Sequence, residues 1–122
     1  MADTEKLVFM VLHGTAHPEH ATIPFVMAGA ALASDVEVVL GFQADGVELV
    51  RKGGADAVEA AGFPPLLKLM NDVRDLGAKF LVCGPCIKSR GVAPEDLIEG
   101  AEVVAAGRFV AEITSATNSL VY

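Results

Sequence analysis

The chain has 122 residues, 52% of them hydrophobic, with 12 glycines and no tryptophan. That length and composition fit one compact domain spanning 1–122 and exclude a disordered chain. Nine basic against sixteen acidic residues leave a net charge of −7, which repels phosphate backbones and anionic membrane surfaces, so neither nucleic acid nor a membrane is an expected partner.

The start, Met1-Ala2-Asp3-Thr4-Glu5-Lys6, carries acids where a secretory signal needs a positive segment, so a cytoplasmic location is expected. Leu7 to Leu12 is continuously apolar and ends at His13-Gly14, as a strand covered on both faces of a parallel sheet would. A helical stretch then runs to Ser34, opened by Pro18 or Pro24, with Phe25, Ala28, Gly29 and Leu32 on one stripe. It contains the longest apolar stretch, Ile23 to Ala33, which is well short of the roughly 18 residues of a membrane span.

Val36 to Leu40 reads as a second strand closing at Gly41. Periodicity leaves the Gly-punctuated segment Phe42 to Gly54 open between hairpin and helix. Pro64-Pro65 opens an amphipathic helix with Leu66, Leu69, Met70, Val73 and Leu76 at helical spacing and Gly77 as its C-terminal cap. Phe80 to Cys83 is a third buried strand, and Gly84-Pro85 turns the chain into a helical start near Cys86. Pro94-Glu95-Asp96 opens another short helix. Two short strands, Glu102 to Ala105 and Ser119 to Val121, bracket a helix near Arg108 to Thr114. The alternation predicts a three-layer α/β sandwich with a mostly parallel, flavodoxin-like sheet of about five strands.

In such a sheet the ligand crevice lies beyond the carboxyl ends of the strands. His13 closes the first strand and Cys83 the third, so both are expected at one edge, with Phe42 and Gln43 lining it. Cysteine is nucleophilic as thiolate, and its pKa falls near helix N-termini and cations. Lys88 and Arg90 follow the two cysteines closely in an otherwise acidic chain. A bland reading stands beside each residue. Cys83 could fill core, His13 could be hydrogen-bonded in a loop, and the two cations could complement helix-end carbonyls. His17 and His20 are expected at the solvent surface.

Cys83-Gly84-Pro85-Cys86 carries the letters of the thioredoxin active site. The motif comes too late in the chain for that fold, and no tryptophan precedes it. A zinc site would join both cysteines to two histidines, but no second cysteine pair occurs. The loop Gly14 to Pro18 lacks the pattern of a phosphate cradle, so neither metal nor cofactor is expected.

The run Cys83-Gly84-Pro85-Cys86-Ile87-Lys88-Ser89-Arg90-Gly91-Val92 resembles the sulfur-relay family of DsrE, DsrF and TusD, in which a strand-ending cysteine is followed by a short helix and an Arg-Gly pair. The resemblance covers nearly the whole chain and favours helix for Gly46 to Val50. It implies a small α/β protein that assembles into a homo-oligomer, a trimer or hexamer, and exchanges sulfur with donor and acceptor proteins. Cys83 matches the position that carries sulfur as a persulfide, and Cys86, which single-cysteine members lack, would be a resolving or second sulfur-holding thiol. His13, Lys88, Arg90 and Gly91 are the expected substrate-binding residues. A thiol-disulfide redox protein and a non-catalytic subunit of a sulfur-metabolism assembly are the alternatives.

Overall fold

The structure, a computed structural model, describes residues 4–122, so Met1 to Asp3 of the acidic start lie outside the described residues. Strands β1 (Lys6–Val11), β2 (Glu37–Phe42), β3 (Lys79–Cys83), β4 (Ala101–Val104) and β5 (Asn118–Val121) form one sheet in the order β4-β3-β2-β1-β5. Every neighbouring pair is parallel. The expectation of a three-layer α/β fold with a mostly parallel sheet of about five strands holds, and the sheet is wholly parallel. Central strands need cover on both faces, and the run Val8-Phe9-Met10-Val11 supplies it, all four being buried.

Helices α1 (Pro18–Ala33), α2 (Leu66–Asp75) and α3 (Gly84–Ser89) lie in connections that step in one direction, from β1 through β2 and β3 to β4. Right-handed crossovers put all three on one face. The last connection, carrying α4 (Ala106–Thr114), returns from one edge of the sheet to the other, so the same handedness puts α4 on the opposite face. Two cores result. Phe9, Phe25, Phe42 and Phe80 fill the first, whereas Val8, Met10, Val39 and Leu81 meet Phe109 of α4 in the second. Gly41 makes the second possible, because a Cβ there would sit 2.8 Å from both Met10 Sδ and the Phe109 ring.

Helix α4 is also tied down by charge. Glu112 takes Lys6 Nζ and Arg108 Nε, each at 2.8 Å, and Arg108 reaches Glu102 at 3.1 Å. The Lys6 hydrogen bond, followed by that of Arg108, holds the Glu112 carboxyl below its ordinary range.

Several boundaries differ from the sequence reading. Pro18 opens α1, and Pro24 is buried inside it. Ala44–Val50 is a 3-10 helix that buries Val47, Leu49 and Val50. Leu76 lies outside the buried stripe of α2 and is 63% exposed, because the helix ends at Asp75 and Gly77 turns away with φ +103. Pro94–Asp96 is one 3-10 turn, closed by the Ala93 N–H donating to Asp96 Oδ2 at 2.9 Å. Among the described residues, no helix is long and apolar enough to cross a membrane.

Candidate functional site

The chain leaves β3 toward one face of the sheet and leaves β4 toward the other, into α3 and α4 respectively. Parallel sheets place their ligand crevices where strand exits diverge in this way, and Cys83 is the last residue of β3 at that point. Gly84 lets the turn pass close to β4, since a Cβ there would touch Val103 Cγ1 and the Val104 carbonyl oxygen at 3.4 Å.

Strand alternation sends Cys83 toward the α4 core and leaves Cys86 packed against the other one. Both are half-buried, and their sulfurs are joined in a disulfide. Their Cα atoms lie 5.3 Å apart, inside the span of about 4.4–6.8 Å that a disulfide bridges.

The environments of the two sulfurs differ. Cys86 Sγ accepts the Ala44 backbone N–H at 3.4 Å, and no other residue donates to either sulfur among the described residues. Ala44 sits at φ +50, a left-handed conformation that costs a non-glycine residue about 1–2 kcal/mol. The conformation aims the amide across the gap to α3. Gly46 then seats the 3-10 helix on the end of β1, where any Cβ would collide with the Val11 carbonyl.

Arg90 fastens the same two elements. Its Nη1 donates to the Cys86 carbonyl at 3.2 Å and its Nη2 to Asp45 Oδ1 at 2.9 Å. The guanidinium thus binds oxygens, with Asp45 neutralising its charge. Lys88 is exposed and makes no side-chain hydrogen bond among the described residues. Gly91, at φ +68, ends α3, its N–H returning to the Lys88 carbonyl at 3.2 Å and that of Val92 to Ile87 at 2.9 Å.

His13 shares the edge with Cys83 but is not brought to it. The register Val11–Phe42–Val82 places β2 between them, a separation of two strand spacings or about 10 Å. His13 instead meets His17 and His20, its ring centroid 4.9 and 5.0 Å from theirs. His17 and His20 are exposed, whereas His13 Nδ1 is buried without a hydrogen-bond partner. Among the described residues no group of three His, Cys, Asp or Glu side chains is placed to hold a metal ion. Phe42 does not line the edge, because its ring is fully buried between Phe25 and Phe80. Gln43 is half-buried just beyond it.

Sequence reasoning missed a cavity of about 300 Å³ lined by Thr15, Glu48, Arg51, Gly54 and Arg90 among others. Its residues come from three separated segments. The glycines were the available signal, since a Cβ at Gly14 would collide with the Glu48 carboxylate and one at Gly54 with the Glu48 carbonyl.

The model of the DsrE/DsrF-like family matches residues 5–122. Two uncharacterised proteins of Methanocaldococcus jannaschii are similar. MJ0760 is 32% identical over 87% of this chain, which spans only 38% of that protein's length. MJ0989 is 29% identical over 96% of this chain and 99% of its own. Among solved structures, the E. coli ychN protein superimposes with a TM-score of 0.79 at 17% identity, covering 98% of this chain and 100% of that one. MTH1491 of Methanobacterium thermoautotrophicum, a protein of unknown function, gives 0.76 at 16%, covering 97% and 99%. At such identities these two structures speak for the fold alone.

Proposed function

Because this chain belongs to the DsrE/DsrF-like family, we propose that it is a sulfur carrier that holds sulfane sulfur as a persulfide on Cys83 and passes it to a partner thiol. The observation that carries this reading is the Ala44 amide on Cys86 Sγ. A hydrogen bond to sulfur favours the thiolate, and the more acidic thiol of a disulfide is the better leaving group. When hydrosulfide attacks the Cys83 sulfur of the joined pair, the S–S bond breaks and its electron pair goes to Cys86, which departs as thiolate. Cys83 keeps the new sulfur as a persulfide. In the reverse direction Cys86 attacks the inner sulfur, releasing hydrosulfide and restoring the disulfide.

With both thiols reduced, Cys83 thiolate attacks the outer sulfur of a donor persulfide, and the donor thiol leaves. An acceptor thiol takes that outer sulfur in the same way, with no net redox change. Sulfur-donor and sulfur-acceptor proteins are the partners this cycle requires, and a reducing cytoplasm would supply the thiols. We assign Cys83 as the sulfur-holding residue, Cys86 as the resolving thiol and Arg90 with Gly91 as the frame of α3. The outward Val110 and Ile113 of α4, 58% and 37% exposed, support assembly with further copies of the chain.

Intact mass after incubation of the reduced protein with inorganic polysulfide tests the reading. One added sulfur is expected to persist on Cys86→Ser and none on Cys83→Ser, while the native chain, whose Cys86 attacks the inner sulfur, converts part of its adduct to the disulfide. Equal loading of the Cys83→Ser chain would overturn it.

The joined pair favours a second reading, a thiol-disulfide redox protein. Repeated turnover of a disulfide substrate with an external dithiol, without any sulfur adduct, would establish that reading instead.

A further inference from the structure

Helix α1 is apolar on both its inner and its outer face. The inner stripe, Ala21, Phe25, Ala28 and Ala31, is buried on the sheet. The outer stripe, Ile23, Val26, Met27, Ala30 and Ala33, is half-buried or exposed and equally apolar. Thr22, the one polar residue between His20 and Ser34, turns inward, where its hydroxyl donates to the Pro18 carbonyl at 2.6 Å. Single apolar side chains at a surface are ordinary, but a helix apolar all round is normally covered on both sides. The neighbouring α2 shows the ordinary case, with Lys68, Asn71, Asp72 and Asp75 exposed on its outer face.

The outer stripe excludes two kinds of occupant. It holds no Lys or Arg for anionic headgroups, and Glu19 and Asp35 at its two ends repel them. It offers no charge with which a charged protein surface could pair. A second copy of the chain does fit it. Two chains of net charge −7 repel, and residues 20–34 are the longest stretch without Asp, Glu, Lys or Arg, so here copies approach with the least opposition.

The stripe is also complementary to itself. Its side chains are large in the first half, at Ile23, Val26 and Met27, and small in the second, at Ala30 and Ala33. Two such helices running in the same direction would touch at their large ends and splay at their small ones. Antiparallel about a two-fold axis, Ile23 of each meets Ala30 of the other, and the separation stays even along the contact.

We propose that α1 is the contact helix of an isologous pair, two copies joined antiparallel with the axis between Val26 and Met27. The inference stands apart from the sulfur-carrier reading. It bears on the site by position, since α1 packs on one core and Cys83 on the other, across the sheet. The pair therefore leaves the α4 side of each Cys83 uncovered, open to a separate partner on each copy.

Sedimentation equilibrium of the full-length reduced chain tests the pair. The measurements are made in a Val110→Glu background, which removes contacts through α4 so that α1 is measured alone. Every changed position occurs twice in an isologous pair, so Ala30→Glu is expected to raise the dissociation constant about a hundredfold by enclosing two carboxylates. Its unfolding midpoint should stay unchanged, because Ala30 is exposed in the single copy. Ile23→Ala and Ala30→Leu are each expected to weaken the pair about tenfold, the first by lost contact and the second by overpacking. Together they should return it to within about threefold of native, because each compensates the other across the axis. Added sodium chloride should strengthen the pair by screening the repulsion between acidic copies. A chain still monomeric at about 1 mM, where contacts of millimolar strength form, overturns the proposal. So does an Ala30→Glu chain that associates as its parent does, or association that weakens with salt. Losses that add in the double variant overturn the antiparallel pairing.

Discussion

The Ala44 amide donates to Cys86 Sγ across a sequence separation of 42 residues, from a backbone conformation that alanine seldom adopts. The strain falls on the residue that meets the sulfur, as happens where a local conformation serves a site. Its consequence is an asymmetry between two thiols only three positions apart. Cys86 is expected to alkylate at lower pH than Cys83 when each is the sole cysteine. Iodoacetamide rates against pH, on Cys83→Ser to report Cys86 and on Cys86→Ser to report Cys83, check the order. If Cys83 is the more acidic, Cys86 is not the preferred leaving group.

Glu112 makes the attachment of α4 sensitive to acid. Its side chain is 11% exposed and bonds Lys6 Nζ, itself 12% exposed, so ionisation of Glu112 is favoured in the folded state relative to the unfolded chain. A carboxyl lowered on folding contributes stability above its unfolded pKa and loses that contribution as pH falls through its folded value. Glu112→Gln removes the charge and leaves Lys6 without its ion pair, at a cost of about 1–3 kcal/mol near neutral pH. Urea unfolding at neutral and acidic pH should show the gap between native and variant narrowing as pH falls. A constant gap across that range would mean that the ion pair contributes nothing.

Much of this architecture is legible in the chain itself. Leu7 to Val11 and Phe80 to Val82 are apolar on both faces, which only a covered parallel sheet accommodates, and the cysteine loop announces itself by its spacing to Arg90-Gly91. Other features depend on strand order or on distant partners. Val47, Leu49 and Val50 fit a hairpin and a helix equally, and the choice is made by Gly46 pressing on the Val11 carbonyl. His13 and Cys83 both end strands, but only the placement of β2 between them shows that they stay apart. An alanine carries no mark of the left-handed conformation that Ala44 takes, so its role is invisible without the fold. The cavity beside α3 likewise needs Thr15 and Arg90 brought to Glu48 and Arg51 from distant parts of the sequence.

Arg90 acts on the cysteines through position. One nitrogen of its fork holds the Cys86 carbonyl in α3 and the other holds Asp45, the neighbour of Ala44, so a single side chain sets the distance between the Ala44 amide and the sulfur it meets. A lysine keeps the charge but lacks the planar fork that reaches both oxygens at once. The Arg90–Asp45 pair is partly exposed, and such pairs contribute about 0.2–1 kcal/mol, too little for its loss to unfold the protein. Arg90→Lys is therefore expected to leave the unfolding midpoint nearly unchanged. In the Cys83→Ser background it should move the Cys86 alkylation profile toward higher pH, because the amide no longer stays within reach of the thiolate. Asp45→Asn, which keeps a hydrogen-bond acceptor for Arg90, should move it less. Equal profiles with arginine, lysine and asparagine in place would show that the 3-10 helix holds Ala44 against Cys86 without the clamp.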